Sequence, residues 1–411
     1  MVDARLTRIL TINSGSSSVK FALFHMGPTE TLVMSGRMER IGLSAGVFKA
    51  KGSDGATLVE RPLDLPNHAA AFKALFAWLQ DQAAAKDLQA VGHRIVHGGS
   101  EHTQPQRITP QLVASLRGLI PLAPDHLPHE IEAIEVVSRS YPALAQVACF
   151  DTAFHAEMPR LAKIYALPRR LESEGIRRYG FHGLSYEYIL SELKSDAGPE
   201  AAKGRVVMAH LGNGSSLAAV REGRSVDTTM GFTPTGGLVM STRSGDLDPG
   251  VLLYLLREKG LTLSDLDEMV NERAGLLGIS GTSSDMADLL ASEAADPHAA
   301  EAVELFCRQA KKFLASFAGV LGGLDTLIFT AGIGENAPSI RWRICKDLAF
   351  LGVHIDPDRN GAGASIISID GSPVTVRVMK TNEELMIARH TSSLIRGTNA
   401  EGKDPPLGGG G

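Results

Sequence analysis

Cysteine is nearly absent from this chain: 411 residues hold three, Cys149, Cys307 and Cys345, with no C-x-x-C spacing and no even framework. That excludes a disulfide scaffold and a cysteine-based zinc ribbon, and it fits a reduced, cytoplasmic compartment. A strong charge of either sign is missing too. The net charge of −5 gives no electrostatic case for nucleic acid or an anionic membrane as partner. No apolar run approaches the roughly 20 residues a membrane helix needs. The polar opening, residues 1–8, leads straight into a strand, so no signal peptide is expected. Nor is there a G-x-x-x-x-G-K-[ST] sequence, so any phosphate chemistry is not that of a P-loop. What is present is ordinary for a globular enzyme: 44% hydrophobic and 21% charged residues, in a chain long enough for two domains with full cores.

The chain is organised around residues 9–24, ILTINSGSSSVKFALF. An apolar run breaks at a small polar turn and then alternates, which predicts strand, tight loop, strand. The loop offers backbone N–H groups and hydroxyls with Lys20 just beyond, a suitable cradle for phosphate. Asn13 adds a neutral oxygen suited to Mg²⁺ or to a water on it. The same pattern returns at residues 206–220, VVMAHLGNGSSLAAV. A hairpin repeated at the head of each half predicts two related domains facing one ligand across a cleft.

Between and after these hairpins, a third strand is expected at 31–41 and exposed turns at 42–55. Asn67 should cap a helix carrying Phe72, Leu75, Phe76 and Leu79 on one face. A strand at 91–99 carries Arg94, which is costly in an apolar run unless it meets an anion. His93 and His97 in that strand raise a metal pair, but no third ligand is near and Gly98-Gly99 argues against a helix. A helix is expected at 129–140. Asp151 ends the buried strand 147–150, where α/β sheets place working side chains, although a helix N-cap would also explain it. The loop RRYGFHG, 177–183, interleaves arginines, aromatics and His182 between glycines, as a site-lining loop would. Asp248 and Pro249 should open a helix at 251–258, leaving Arg243 on the preceding loop. A long helix at 299–321 should bury Leu305, Phe306, Phe313, Phe317 and Val320. It leads to a strand at 325–330 and the turn AGIGENA, 331–337. That turn matches G-x-G-x-x-A, with Asp356 as a ribose acid, so an NAD-dependent dehydrogenase has to be weighed. A last strand at 374–379 meets a closing helix that begins near Glu383, and the Gly/Pro-rich end, 401–411, is expected to be disordered.

Taken in order, the motifs NSGSSSVKF, GHRIVHGG, FDTAFH, RRYGFHG, HLGNGSS, TRSGDLDPG, AGIGEN and TNEELMIAR resemble those of the acetate kinase family of short-chain acyl kinases, within the sugar kinase, Hsp70 and actin superfamily. The likeness spans about 9–396. It implies an α/β fold of duplicated RNase H-like (actin-like ATPase) domains with a nucleotide cleft between them. The first would comprise 1–150 completed by a helix at 383–400, and the second 151–382. It also implies a homodimer, ATP/ADP and Mg²⁺ (or Mn²⁺), and transfer of the ATP γ-phosphoryl group to acetate or propionate. By motif, Asn13 and Glu383 would hold the metal. Lys20 and the loop His210, Leu211, Gly212, Asn213 and Gly214 would meet phosphates. Asp285, Met286 and Ala287, with Gly332, Ile333, Gly334, Glu335 and Asn336, would receive adenosine. Arg94 and Arg243 would clamp carboxylate and phosphoryl group, and His182 would stabilise the transition state. Asp151 would act as acid/base or positioning group, and Val96, Phe181 and Pro234 would line the acyl pocket. Because a carboxylate is already ionised at neutral pH, Asp151 is expected to orient groups rather than take a proton.

Four departures from the family pattern bear on substrate choice: Asp125 and Leu127 in the proline-pinned loop, Ser100 after the glycine turn, Ala287, and Pro234-Thr235-Gly236-Gly237. Besides the dehydrogenase, a non-catalytic nucleotide switch of the actin type competes, and it would leave Arg94 and Arg243 without a task.

Overall fold

The computed structural model describes residues 7–401. They form two compact units, one of residues 7–153 with 382–401 and the other Phe154–Thr381. The expectation for 1–6 and for the tail beyond 401 falls outside the described residues.

The first unit is built on an eight-stranded sheet ordered β5-β4-β3-β2-β1-β6-β8-β7. Its strands are β1 (Thr7–Ser14), β2 (Ser18–Met26), β3 (Thr31–Glu39), β4 (Val47–Gly52), β5 (Thr57–Pro62), β6 (Ala90–Ile95), β7 (Gln106–Arg107) and β8 (Ala145–Phe150). Strands β1 to β5 run as an antiparallel meander, while β1, β6 and β8 are parallel. The exposed turns expected at 42–55 are thus partly wrong. β4 lies there, its Phe48 and Ala50 buried while Lys49 and Lys51 alternate outward. Glycine and lysine flanking those apolar residues hid a period-2 pattern. Helices His68–Gln80 and Leu127–Ser140 cover one face of the sheet, packing Phe72, Leu75, Ala133 and Val137 against Leu10, Phe21 and Phe48. Each such side chain contributes about 1.5–3 kcal/mol by burial. As expected, Asn67 caps the first of these, its side chain accepting from the Ala70 N–H. The helix Glu383–Glu401 covers the opposite face with Ala388 against Ile9, Ala22, Phe24 and Met26. It approaches so closely that a Cβ on Gly92 would stand 2.4 Å from Thr391 Oγ1 and 2.5 Å from Ile387 Cγ2.

The second unit repeats the plan. Its sheet runs β11-β10-β9-β12-β13, from β9 (Val206–Leu211), β10 (Ser215–Arg221), β11 (Arg224–Thr228), β12 (Thr326–Thr330) and β13 (Thr375–Val378). The first three are antiparallel neighbours and the last two parallel to β9, matching β3-β2-β1-β6-β8 in order and direction. The helix Pro297–Leu321 lies on one face, started by an Asp296 cap with Pro297 in its first turn and ended by Gly322 at φ +72°. Its inward row is Ala302, Val303, Phe306, Ala310, Leu314 and Phe317. Val320, expected to be buried, is 46% exposed because it falls on the outer side of the last turn. The helix Gly183–Ala197 packs Tyr186, Ile189 and Leu193 on the other face.

Candidate active site

In the first unit the β1–β2 turn is tight, with the Gly15 N–H donating to Ser18 O at 2.8 Å. Asn13, at the end of β1, pairs in register with Lys20 on β2. Arg94 projects from β6, next to β1, and its guanidinium is spoken for. Its Nε donates to Asp151 Oδ1 and Oδ2 at 3.0 and 3.1 Å, and its Nη1 to Asn13 Oδ1 at 3.1 Å. Glu383 Oε2 stands 4.0 Å from the same Nε. Burial works against the Arg94 charge, yet the Asp151 and Glu383 carboxylates hold its pKa above the ordinary value. Asp151 directly follows β8. Its N–H continues the parallel ladder to Ile95 O at 2.9 Å and its carboxylate takes Arg94. Arg94 thus meets an anion, as its place in an apolar strand requires, and that anion is the Asp151 carboxylate of the same unit.

The oxygen set here suits a hard cation. Asn13 Oδ1, the half-buried Glu383 carboxylate and the buried Ser14 Oγ, which has no hydrogen-bond partner, lie in this unit beside a second carboxylate, Glu384. Burial raises Glu384, and the neighbouring Glu383 raises it further, a like-charge pressure that a divalent ion would relieve.

Among the described residues His93 and His97 do not fall in a group of three side chains able to hold a metal. His93 Nε2 bonds Gln146 Oε1 at 2.8 Å and burial lowers it to about 4, while His97 Nδ1 accepts from the Gly99 N–H at 2.9 Å to close the turn. Asp125 and Ser100 are exposed, while Leu127 is buried at the start of the helix Leu127–Ser140. Sequence reasoning missed Glu130, which is 1% exposed and accepts from the Val96 N–H through both oxygens. Its signal was available: a carboxylate on the inward row Leu127, Ile131, Ile134.

In the second unit His182 takes a left-handed conformation, φ +59°, at the head of the helix Gly183–Ala197. Its Nδ1 meets Ser216 Oγ at 2.8 Å, and that hydroxyl also bonds the Tyr186 phenol. The ring stacks on His210, centroids 4.1 Å apart at 17°. His210 Nδ1 in turn meets Ser185 Oγ at 2.8 Å, and Ser185 meets Thr381 Oγ1. None of Ser185, Tyr186 or Ser216 was singled out in the sequence.

Between β9 and β10 the loop is held by Ser215 Oγ, which accepts from the Gly212 N–H, and by the Ser241 N–H donating to Asn213 O. A Cβ on Gly214 would stand 3.2 Å from His182 Nε2 and 3.6 Å from Arg243 Nη1. Two side-chain nitrogens thus converge on a glycine, closely enough that a Cβ there would crowd the imidazole. Arg243 Nη1 also donates to Pro234 O at 3.1 Å, tying its loop to Pro234. Phe181, next to His182 in sequence, is buried, and Val96 is buried in the first unit.

Beyond β12 the residues Ala331–Asn336 form a short helix rather than a bare turn. A Cβ on Gly212 would lie 3.9 Å from the Gly332 N, so this helix adjoins the β9–β10 loop. Glu335 folds back, its Oε1 accepting from the Ala331 and Thr381 N–H groups, and Asn336 Nδ2 bonds Gly332 O. Gly334 packs against β9 and β12, where a Cβ would stand 3.4 Å from Phe329 C and 3.6 Å from Ala209 O. Asp356, weighed as a ribose acid, caps a turn through the Asp358 and Arg359 N–H groups. Asp285 likewise caps the helix Met286–Ser292 and is exposed with Ala287, while Met286 is buried.

The two sheets share one strand order, each headed by a Gly/Ser hairpin, which is the duplicated α/β fold expected of an acyl kinase. The chain belongs to the acetokinase family, whose model matches residues 8–389. It is 48% identical to the acetate kinase of Rhodopseudomonas palustris strain TIE-1 over 395 residues, 95% of this chain and 98% of that one. Among solved structures it resembles Porphyromonas gingivalis acetate kinase, with a TM-score of 0.86 at 36% identity, covering 95% of this chain and 100% of that one. It also resembles a propionate kinase from Francisella tularensis subsp. tularensis SCHU S4, with a TM-score of 0.89 at 38% identity, covering 94% and 100%. Among the described residues no helix is long and apolar enough to cross a membrane.

Proposed function

We propose that this protein transfers the γ-phosphoryl group of ATP reversibly to acetate, giving acetyl phosphate and ADP, in the cytoplasm and with Mg²⁺. The observation that carries the reading is the convergence of His182 Nε2 and Arg243 Nη1 on Gly214. A carboxylate oxygen attacks the γ-phosphorus, the bond to the β-phosphate oxygen breaks, and ADP leaves. The nucleophile is ionised at neutral pH, so no base is needed. The barrier lies in the charge spread over three equatorial oxygens and in alignment. His182 and Arg243 meet that charge, and the glycine-rich loop His210–Gly214 of the same unit holds the nucleotide phosphates; Lys20 is the phosphate-binding residue of the first unit. Gly332–Asn336 and the 285–287 turn receive the adenosine.

In the first unit Arg94 orients the substrate carboxylate, and Asp151 holds Arg94 rather than moving a proton. Asn13 and Glu383 would hold the Mg²⁺, which supplies charge neutralisation on the phosphates when bound. Of the residues that the resemblance implies for acyl contact, Val96 lies in the first unit and Phe181 and Pro234 in the second. Propionate is the second reading, favoured by the likeness to the Francisella enzyme. A homodimer fits the helix Pro249–Glu258, none of whose residues is buried although Val251, Leu253 and Tyr254 are apolar.

The test is a hydroxylamine trap with protein, Mg²⁺ and ATP, comparing acetate, propionate and butyrate beside an Arg243→Ala control. Hydroxamate from acetate, lost in the control, supports the assignment. ATP binding without hydroxamate from any acid would refute it.

A further inference from the structure

The phosphoryl-transfer chemistry makes no use of a group formed by His68, His129 and Glu132. His68 opens the helix His68–Gln80, directly after its Asn67 cap, and is 3% exposed. His129 and Glu132 sit three residues apart on the helix Leu127–Ser140, hence on one face of it. The imidazoles of His68 and His129 stack with centroids 4.0 Å apart and planes at 20°. One ligand atom from each of the three residues lies within 4.8 Å of the others.

The tautomer of His68 follows from its partner. Its Nε2 is 2.8 Å from the Gly15 carbonyl oxygen, which only accepts, so the proton sits on Nε2 and the lone pair on Nδ1. A carbonyl behind one ring nitrogen is the usual outer neighbour of a histidine that ligates through the other. Among the described residues no hydrogen bond engages the His129 ring nitrogens or the Glu132 carboxylate.

We propose that His68, His129 and Glu132 bind one divalent ion of the borderline class, Zn²⁺ or Co²⁺, separate from the Mg²⁺ used in phosphoryl transfer. Two imidazoles and one carboxylate with water in the fourth place make a tetrahedral set, with bonds of about 2.0–2.2 Å. The ligand atoms then close to about 3.3 Å from one another. Rotation of His129 and Glu132, both half-buried, provides that closure, while His68 stays fixed by Gly15. Imidazole pairs select against Mg²⁺, which takes oxygen ligands and keeps its waters. The ion would brace the β1–β2 turn from behind, through His68 and the Gly15 carbonyl, two residues from Asn13.

Titration of the intact protein with Co²⁺ in excess Mg²⁺ tests this, followed by visible d–d absorption and thermal unfolding. One equivalent giving the intense bands of a four-coordinate ion, with a rise in melting temperature, is expected. His129→Ala should abolish the bands, and Glu132→Gln should weaken binding about tenfold or more. The second variant decides if the first does not fold. Absence of a saturable equivalent, or bands unchanged in a folded variant, would overturn the proposal.

Discussion

Both oxygens of the Glu130 carboxyl face the Val96 N–H, at 3.0 and 3.2 Å, two residues beyond Arg94. Burial pushes this group up to about 8, although Arg94 and the Val96 N–H pull it down and Asp151 pushes it up again. Because the folded pKa exceeds the unfolded one, the native state binds the extra proton between about 4.5 and 8. Stability from this group is therefore full below that window and falls as pH rises through it. Thermal unfolding midpoints from pH 5 to 9 should decline more steeply for the wild type than for Glu130→Gln. Parallel curves would show that Glu130 does not titrate in this way.

Asp151 and Arg94 form a buried pair, so removing one partner costs more than removing both. Asp151→Asn should destabilise by about 3–5 kcal/mol, and the double variant Arg94→Leu/Asp151→Leu by less than the sum of its singles. Urea unfolding of the four proteins measures the coupling. In kinetics, Asp151→Asn should lower kcat without removing a limb of the pH–rate profile, since no proton is transferred to it.

Ser216 holds His182 Nδ1 and the Tyr186 phenol at once. Ser216→Ala should lower kcat by roughly tenfold through loss of imidazole orientation, at about 1–3 kcal/mol of stability for the unpartnered phenol. KM for ATP should stay close to wild type. A variant with normal kcat would remove Ser216 from the positioning role.

Gly92→Ala would drive a methyl group into Thr391 and Ile387. The cost should be about 1–3 kcal/mol by overpacking, partly relieved in Gly92→Ala/Thr391→Ala. Differential scanning calorimetry of the pair against Thr391→Ala alone checks the relief.

The helix Pro249–Glu258 offers a direct check on assembly. Leu253→Asp or Tyr254→Asp should halve the mass measured by light scattering while leaving circular dichroism unchanged. A wild-type monomer would end the dimer proposal.

What could be read from the sequence was whatever repeats locally. The Asn67 and Asp248 caps, the inward rows of the long helices and the two Gly/Ser hairpins all show their period or spacing within a few residues. What could not be read depends on contacts far along the chain. That Arg94 needs an anion was legible, but not that Asp151, 57 residues on, supplies it. A metal pair at His93 and His97, neighbours in sequence, was weighed and argued against. The cluster the fold assembles joins His68 to His129 across two helices. Glu335 and Asp356 fitted a nucleotide fingerprint as letters, yet their carboxylates serve the backbone around them. Val320 failed for a smaller reason, a drift of the apolar stripe over a 25-residue helix.

The helix Glu383–Glu401 completes a unit whose other strands lie within the first 153 residues. During synthesis, roughly 230 residues of the second unit must emerge before that helix exists. At ribosomal rates of 5–20 residues per second the wait is roughly 10–45 s. Throughout it Ile9, Ala22, Phe24 and Met26 have no cover from their own chain. The nascent protein therefore carries an uncovered apolar sheet face while the second unit is being made, the kind of surface that invites aggregation.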